Sequence, residues 1–212
     1  QHDVAVSGGA DSLALLALAL ATGSAVTAHH VDHGLRTGGD DEAAAVLGVC
    51  TRWGAAFEAH SVEVGDGPDL EARCRIARMQ VLPPGWLTGH TADDQAETVL
   101  LRLLRGTGPT GLAAMDSARH PLLDLRRTDT EELCVRLEVT PFVDPTNESP
   151  RFTRNRIRHE VLPLLAEVTG RDVVPLVNRT AELLRFQNAA IGELAAELDP
   201  TSVSALRSVP VP

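Results

Sequence analysis

A strand–turn–helix pattern near the start of the chain constrains the fold more than any other feature. Residues 4–6 form a short apolar run, residues 7–12 read Ser-Gly-Gly-Ala-Asp-Ser, and residues 13–20 contain only alanine and leucine. Segments with strand and helix character continue to alternate as far as Arg105. Because such alternation is typical of parallel βαβ units, we predict an α/β fold with a doubly wound parallel sheet.

Apolar periodicity and turn residues predict the remaining elements. We predict strands at 25–31, 57–64 and 86–88, and helices at 40–53, 70–81 and 93–105. After Gly106 the strand–helix alternation ends. There we predict a loop at 106–111, a turn-rich stretch at 141–150, and helices at 130–138, 151–169 and 175–198. We therefore expect an α/β domain over residues 1–165 and a helical C-terminal region over residues 166–212, and truncation of that region stays open.

The composition argues against several classes of protein. A net charge of −10 disfavours a surface that binds nucleic acid or membrane indiscriminately. All 19 basic residues are arginine, which excludes chemistry that needs a lysine of this chain. The three cysteines form no CxxC pair, which disfavours a zinc ribbon and fits a reducing cytoplasm. The most apolar run, residues 13–21, is shorter than the roughly 20 residues that a membrane-spanning helix needs.

The glycine turn at residues 7–12 is suited to binding an anion. Glycines after a strand let backbone N–H groups face a phosphate, and the following helix N-terminus adds positive potential. Ser7 and Ser12 add hydroxyl donors. The spacing is neither that of a Walker loop nor that of a dinucleotide fingerprint. Taken alone, the turn leaves open an ordinary strand–helix connection and a pyrophosphate site.

The same turn resembles the signature of the N-type ATP pyrophosphatases, or PP-loop family. Three later segments, at residues 29–36, 89–108 and 144–163, are similar to motifs of the tRNA(Ile)-lysidine synthetases and follow in the same order. The resemblance runs from about residue 4 to residue 163. It implies a fold like that of the adenine nucleotide alpha hydrolases.

The resemblance also implies a reaction. In that reaction ATP adenylates the wobble cytidine of a tRNA(Ile) that carries a CAU anticodon, and free lysine then displaces AMP at C2 to form lysidine. The implied cofactors are ATP and Mg²⁺, the implied partners are this tRNA and L-lysine, and a homodimer stays open. Two alternatives remain: a tRNA 2-thiolation enzyme of the same family, and an ATP- or RNA-binding module without catalysis.

Several residues are expected to serve ATP and the chemistry. Adjacent aspartates at a strand end suit Mg²⁺ held between protein and phosphate oxygens, although helix capping alone would explain one or two acids. By resemblance, the ATP-binding residues are Ser7, Gly8, Gly9, Ala10, Asp11, Ser12, His29, His30, Gly89 and His90. Asp11 and Asp93 are the expected Mg²⁺ ligands, and the expected catalytic residues are Asp93, Asp11 and Arg73.

A basic segment late in the chain is the predicted RNA-facing surface. Four arginines fall within residues 151–158 with no acid among them, although a solvated helix face is the alternative. The expected RNA- or substrate-binding residues are Asp32, Arg36, Asp94, Glu97, Arg151, Arg154, Arg156 and Arg158. Arg119, Arg126 and Arg127 form a weaker patch. His29, His30 and His33 point in differing directions along a strand and its turn, which disfavours a metal site made of these three.

Overall fold

The computed structural model describes residues 1–34, 39–65, 67, 70–144 and 149–196. Its four strands form one parallel sheet in the order β3-β2-β1-β4. The strands are β1 (His2–Ala5), β2 (Val26–Asp32), β3 (Ala56–Ser61) and β4 (Leu87–Thr88). The sheet therefore grows from β1 through β2 to β3 and then returns to add β4 on the other side of β1. This confirms the predicted parallel α/β fold, and the switch point between β1 and β4 is where such sheets bind ligands.

Helices connect and follow the strands. They are α1 (Ala10–Ala21), α2 (Gly39–Trp53), α3 (Leu70–Val81), α4 (Ala92–Leu104), α5 (Pro109–Leu112), α6 (Arg127–Arg136), α7 (Thr153–Arg156), α8 (Leu162–Thr169) and α9 (Val174–Ala196). The helical C-terminal region is therefore present, as predicted. Among the described helices, none combines the length and the apolar character that crossing a membrane requires.

Two stretches differ from the sequence-based expectation. The predicted loop at 106–111 contains α5, which begins at Pro109, a residue whose fixed φ suits the first turn of a helix. The predicted helix at 151–169 is interrupted by a π-helical turn at Ile157–Val161 between α7 and α8. Pro163 explains the interruption, because it has no N–H to donate one turn back and its ring clashes there.

The chain forms two compact units. The first consists of Gln1–Gln95 and Met115–Arg156, and the second of Ala96–Ala114 and the described residues from Ile157 onward. The predicted boundary at residue 165 stays a prediction. The first unit contains the sheet and a continuous apolar core, in which Val4, Leu16 and Ala28 are fully buried. Within the second unit α5 packs on α9, and the π-helical turn packs on α8.

Candidate functional site

The glycine turn after β1 has a defined shape. Gly8 lies at φ +85°, a conformation that favours glycine, and its carbonyl accepts the N–H of Phe142 at 2.9 Å. The Ser12 hydroxyl donates to the carbonyl of Gly9 at 2.9 Å and accepts the N–H of Ser7 at 3.2 Å. The first N–H groups of α1, which follows the turn, have no partner inside the helix. The turn therefore places helix N–H groups at the carboxyl end of β1, an arrangement suited to an anion.

Gly89 brings the end of β4 against this turn. A Cβ atom on Gly89 would collide with the backbone of Asp11 and Ser12. Only glycine allows this close approach, which joins the ends of β1 and β4 at the switch point of the sheet.

A small polar cluster follows β4. The Thr88 hydroxyl lies 2.6 Å from Nδ1 of His90 and 2.5 Å from Nδ1 of His120, and the two Nδ1 atoms are 3.1 Å apart. Burial lowers the pKa of His90 to about 4, and the neighbouring charge of Asp94 only partly opposes the shift. His90 is therefore neutral at physiological pH and acts as a hydrogen-bonding group.

Asp11 contacts Thr130 and Arg127 beside the turn. Its Oδ1 atom accepts the Thr130 hydroxyl, and its Oδ2 atom forms an ion pair with Nε of Arg127 at 3.6 Å. Burial raises the pKa of Asp11 to about 6, and the nearby charge of Asp94 acts in the same direction. The Asp11 carboxylate is therefore costly to ionise without a further cation.

Asp93, by contrast, is engaged through both oxygens. Arg126 donates from its Nε and NH2 atoms at 3.0 and 2.9 Å, and the backbone N–H of Arg127 donates at 2.8 Å. Burial opposes the ionisation of Asp93, but these hydrogen bonds outweigh it and hold the pKa below its usual range. Asp93 thus anchors the start of α6 through a bidentate charge-assisted pair.

Asp94 lies in the first turn of α4 and contacts two arginines. Its Oδ2 atom accepts the N–H and the hydroxyl of Thr91, the reciprocal half of a capping box. Its Oδ1 atom accepts Arg127 at 2.9 Å and Arg154 at 3.3 Å. Burial disfavours the charge of Asp94, yet the two guanidinium groups outweigh that effect and lower its pKa.

A family model described as a PP-loop domain matches residues 1–165. The chain belongs to the PP-loop family. This result confirms the resemblance drawn from the glycine turn and the later motifs.

Within that family the chain is similar to proteins named tRNA(Ile)-lysidine synthase. The protein from Rhodococcus erythropolis is 45% identical over 205 residues, which cover 92% of this chain and 63% of the relative. The protein from Nocardia farcinica is 44% identical over 212 residues, which cover 95% of this chain and 67% of the relative. The chain thus spans about two thirds of the length of these curated relatives.

A solved structure supports the fold. The U34-tRNA thiolase NcsA from Methanococcus maripaludis superposes with a TM-score of 0.66 at 18% sequence identity, covering 86% of this chain and 72% of that one. At this level of identity the likeness establishes the PP-loop fold and nothing further.

Three predicted site residues lie on β2: His29 and His30, expected to bind ATP, and Asp32, expected to bind RNA or substrate. The carbonyl of His29 accepts the N–H of Val6 at 2.9 Å, and Nδ1 of His30 lies 2.9 Å from the carbonyl of Val6. Asp32 accepts the N–H of Gly34 at 2.9 Å and so shapes the turn after the strand. Arg36 lies outside the described residues.

Arg73 belongs to a different part of the first unit. It donates to the carbonyl of Gly67 at 2.6 Å and, with Glu63 and Gln80, lines a pocket of about 200 Å³ between the end of β3 and α3. Its predicted catalytic role stays a prediction.

The four clustered arginines have different surroundings. Arg154 pairs with Asp94 in the first unit. Arg158 pairs with the fully buried Glu97 in the second unit, with contacts of 2.6 and 3.0 Å. Arg151 and Arg156 are exposed. Arg154 and Arg158 therefore neutralise acids of their own units, and the RNA contacts predicted for this cluster stay predictions.

Three residues that contact Asp11, Asp93 and Asp94 received too little weight when the sequence was considered alone. Arg126 and Arg127 contact Asp93, Asp94 and Asp11, and Thr130 contacts Asp11. A signal was available, since two arginines stand at the start of α6, where the positive end of the helix disfavours cations. Such a placement indicates acidic partners elsewhere in the fold.

Proposed function

We propose that this chain catalyses the ATP-dependent formation of lysidine on a tRNA(Ile) with a CAU anticodon. The observation that carries the proposal is the similarity to tRNA(Ile)-lysidine synthases, which extends over more than nine tenths of this chain. The anion-binding turn at the sheet's switch point gives that similarity a chemical basis.

ATP would bind with its pyrophosphate against the turn. The first N–H groups of α1 and the hydroxyls of Ser7 and Ser12 would hold the phosphate oxygens, and Gly89 would leave room beside them. The O2 atom of the cytidine attacks the α-phosphorus, and pyrophosphate leaves from the turn. The lysine amine then attacks C2, AMP departs, and a proton is released. No side chain of this protein need become covalently attached.

The carboxylates near the turn fit Mg²⁺, which prefers oxygen ligands and keeps contacts to substrate phosphates. Asp11 fits best, because burial makes its charge costly even beside Arg127. Asp93 would join it only by exchanging contacts with Arg126. Bound there, Mg²⁺ would neutralise charge on the departing pyrophosphate.

The tRNA would be held chiefly through its phosphates. Arg151 and Arg156 are exposed and carry positive charge on a protein with a net charge of −10. Arginines in this setting bind the backbone and orient it without reading sequence. Free L-lysine is the proposed second substrate.

Cys50 and Cys134 are poorly suited to the sulfur transfer of a 2-thiolation enzyme. Sulfur transfer requires a reactive thiolate. Burial raises the pKa of Cys50 to about 11, and burial followed by the nearby charge of Asp11 raises the pKa of Cys134. Both thiols are therefore protonated at neutral pH.

Lysine incorporation tests the proposal directly. Labelled lysine, ATP and Mg²⁺ are incubated with a tRNA(Ile) transcript carrying CAU, and label in the tRNA is counted for the wild type and for Asp11→Asn. The matched control is Asp41→Asn, on the exposed face of α2. We expect incorporation by the wild type and the control, and its loss in Asp11→Asn. ATP binding without incorporation by the wild type would contradict the proposal and favour a binding module.

A further inference from the structure

Four polar side chains of the first unit share one face of the sheet. The strand register places Asp3 opposite Thr27, His29 opposite Glu58, and Val31 opposite His60. In parallel strands, paired residues point to the same face, and so do residues two apart along a strand. Asp3, His29, Glu58 and His60 therefore line one face across β1, β2 and β3.

Three of these side chains bring ligand atoms together at one point. Nδ1 of His29 lies 3.1 Å from Nε2 of His60 and 3.5 Å from Oε2 of Glu58, and the last two atoms are 3.9 Å apart. Zinc binds imidazole nitrogen and carboxylate oxygen at about 2.0–2.2 Å, and a tetrahedral angle between such bonds separates the ligand atoms by about 3.3–3.6 Å. The observed separations bracket that range.

The fourth side chain orients the buried histidine. Nε2 of His29 lies 3.1 Å from Oδ1 of Asp3, and a carboxylate only accepts, so this nitrogen carries the proton. Nδ1 of His29 faces His60 and Glu58. A carboxylate that holds the far nitrogen of a metal-binding histidine is the usual outer partner of zinc sites.

One ligand residue of this site is buried, and another is open to solvent. His29 is 3% exposed, and its ring stacks on that of His60 with 5.3 Å between centroids. Glu58 is 59% exposed, which leaves an entry path and a coordination position for water.

We propose that His29, His60 and Glu58 bind a zinc ion, with Asp3 as the residue that orients His29. The ion would join β2 to β3 and, through Asp3, to β1. The site uses side chains on the face of the sheet and none of the residues of the glycine turn. His29, which the resemblance assigns to ATP, would hold the zinc through its side chain.

Zinc binding to the purified chain tests this proposal. Affinity is measured by competition with a chromophoric chelator, and cobalt(II) absorption reports tetrahedral coordination. We expect one equivalent of zinc, a loss of at least about 100-fold in affinity for His60→Gln, and a loss of about 10–100-fold for Asp3→Asn. His2→Gln is the matched control, because His2 lies on β1 next to Asp3 and points to the opposite face.

Thermal unfolding supplies a second measurement. Zinc should raise the midpoint of the wild type and of His2→Gln and leave that of His60→Gln unchanged. Circular dichroism without metal checks that each variant is folded. Wild-type binding that survives His60→Gln, or that is lost in His2→Gln, would overturn the proposal, as would a wild type that binds no zinc.

Discussion

Replacing Asp11 by asparagine should stabilise the protein, but only at pH values where the carboxyl group ionises. Burial raises the pKa of Asp11 from 3.8 to about 6, and its side chain is 22% exposed, so solvent screens the charge little. A shift of about two pKa units at about 1.36 kcal/mol each corresponds to about 3 kcal/mol.

The direction of this pH dependence of stability follows from proton binding. Between these pKa values the folded state holds a proton that the unfolded state has released, so stability falls as the pH rises through this window. Asparagine mimics the protonated carboxyl group. The variant should therefore gain about 1 kcal/mol at about pH 4.5 and about 3 kcal/mol at about pH 7.5.

Urea denaturation at these two pH values measures the effect. The free energy of unfolding is compared for the wild type, Asp11→Asn and the exposed control Asp41→Asn, which should change little at either pH. An equal gain at both pH values, or a loss at the higher one, would refute the reasoning. It would mean that Arg127 and Thr130 stabilise the carboxylate more than burial destabilises it.

Three further changes have outcomes that denaturation or binding assays can check. Arg158→Ala should cost about 3–5 kcal/mol, because it removes the guanidinium that pairs with the buried Glu97 carboxylate; urea unfolding showing under 1 kcal/mol would contradict this. Gly89→Ala should cost about 1–3 kcal/mol by the same assay, since a Cβ there meets the backbone of α1. Replacing Arg151 and Arg156 together by alanine should weaken tRNA binding and reduce its salt slope by about 2, and an unchanged slope would argue against phosphate contacts.

The sheet and its order of elements could be predicted because the signals are local. The alternation of apolar runs with amphipathic segments places β1 to β4 and α1 to α4 within a few residues of their observed bounds. The π-helical turn at Ile157–Val161 could not be predicted in the same way. Arg158, within it, faces Glu97, a residue 61 positions away, and only the folded unit reveals that pairing.

In the candidate site, too, local features could be predicted and long-range contacts could not. Residues 7–12 could be predicted to bind an anion because the turn is contiguous in sequence, and Gly89 because it follows a strand. The side chains that contact the acidic residues could not be predicted, since Thr130 lies 119 positions from Asp11 and Arg126 lies 33 positions from Asp93. The meeting of His29 and His60 depends on strand register, which a strand prediction without pairing leaves undetermined.

Folding stability and the proposed binding of a cation favour different side chains at position 11. The buried Asp11 carboxylate, once ionised, lowers the stability of the folded protein, whereas asparagine at the same position would raise it. A fold selected for stability alone would therefore not keep the aspartate, because an uncharged side chain accepts the Thr130 hydroxyl equally well. A cation brought in with ATP, as proposed above, would offset the cost of this charge. If Asp11→Asn proves more stable and inactive in lysine incorporation, the destabilising charge is explained by its role in binding.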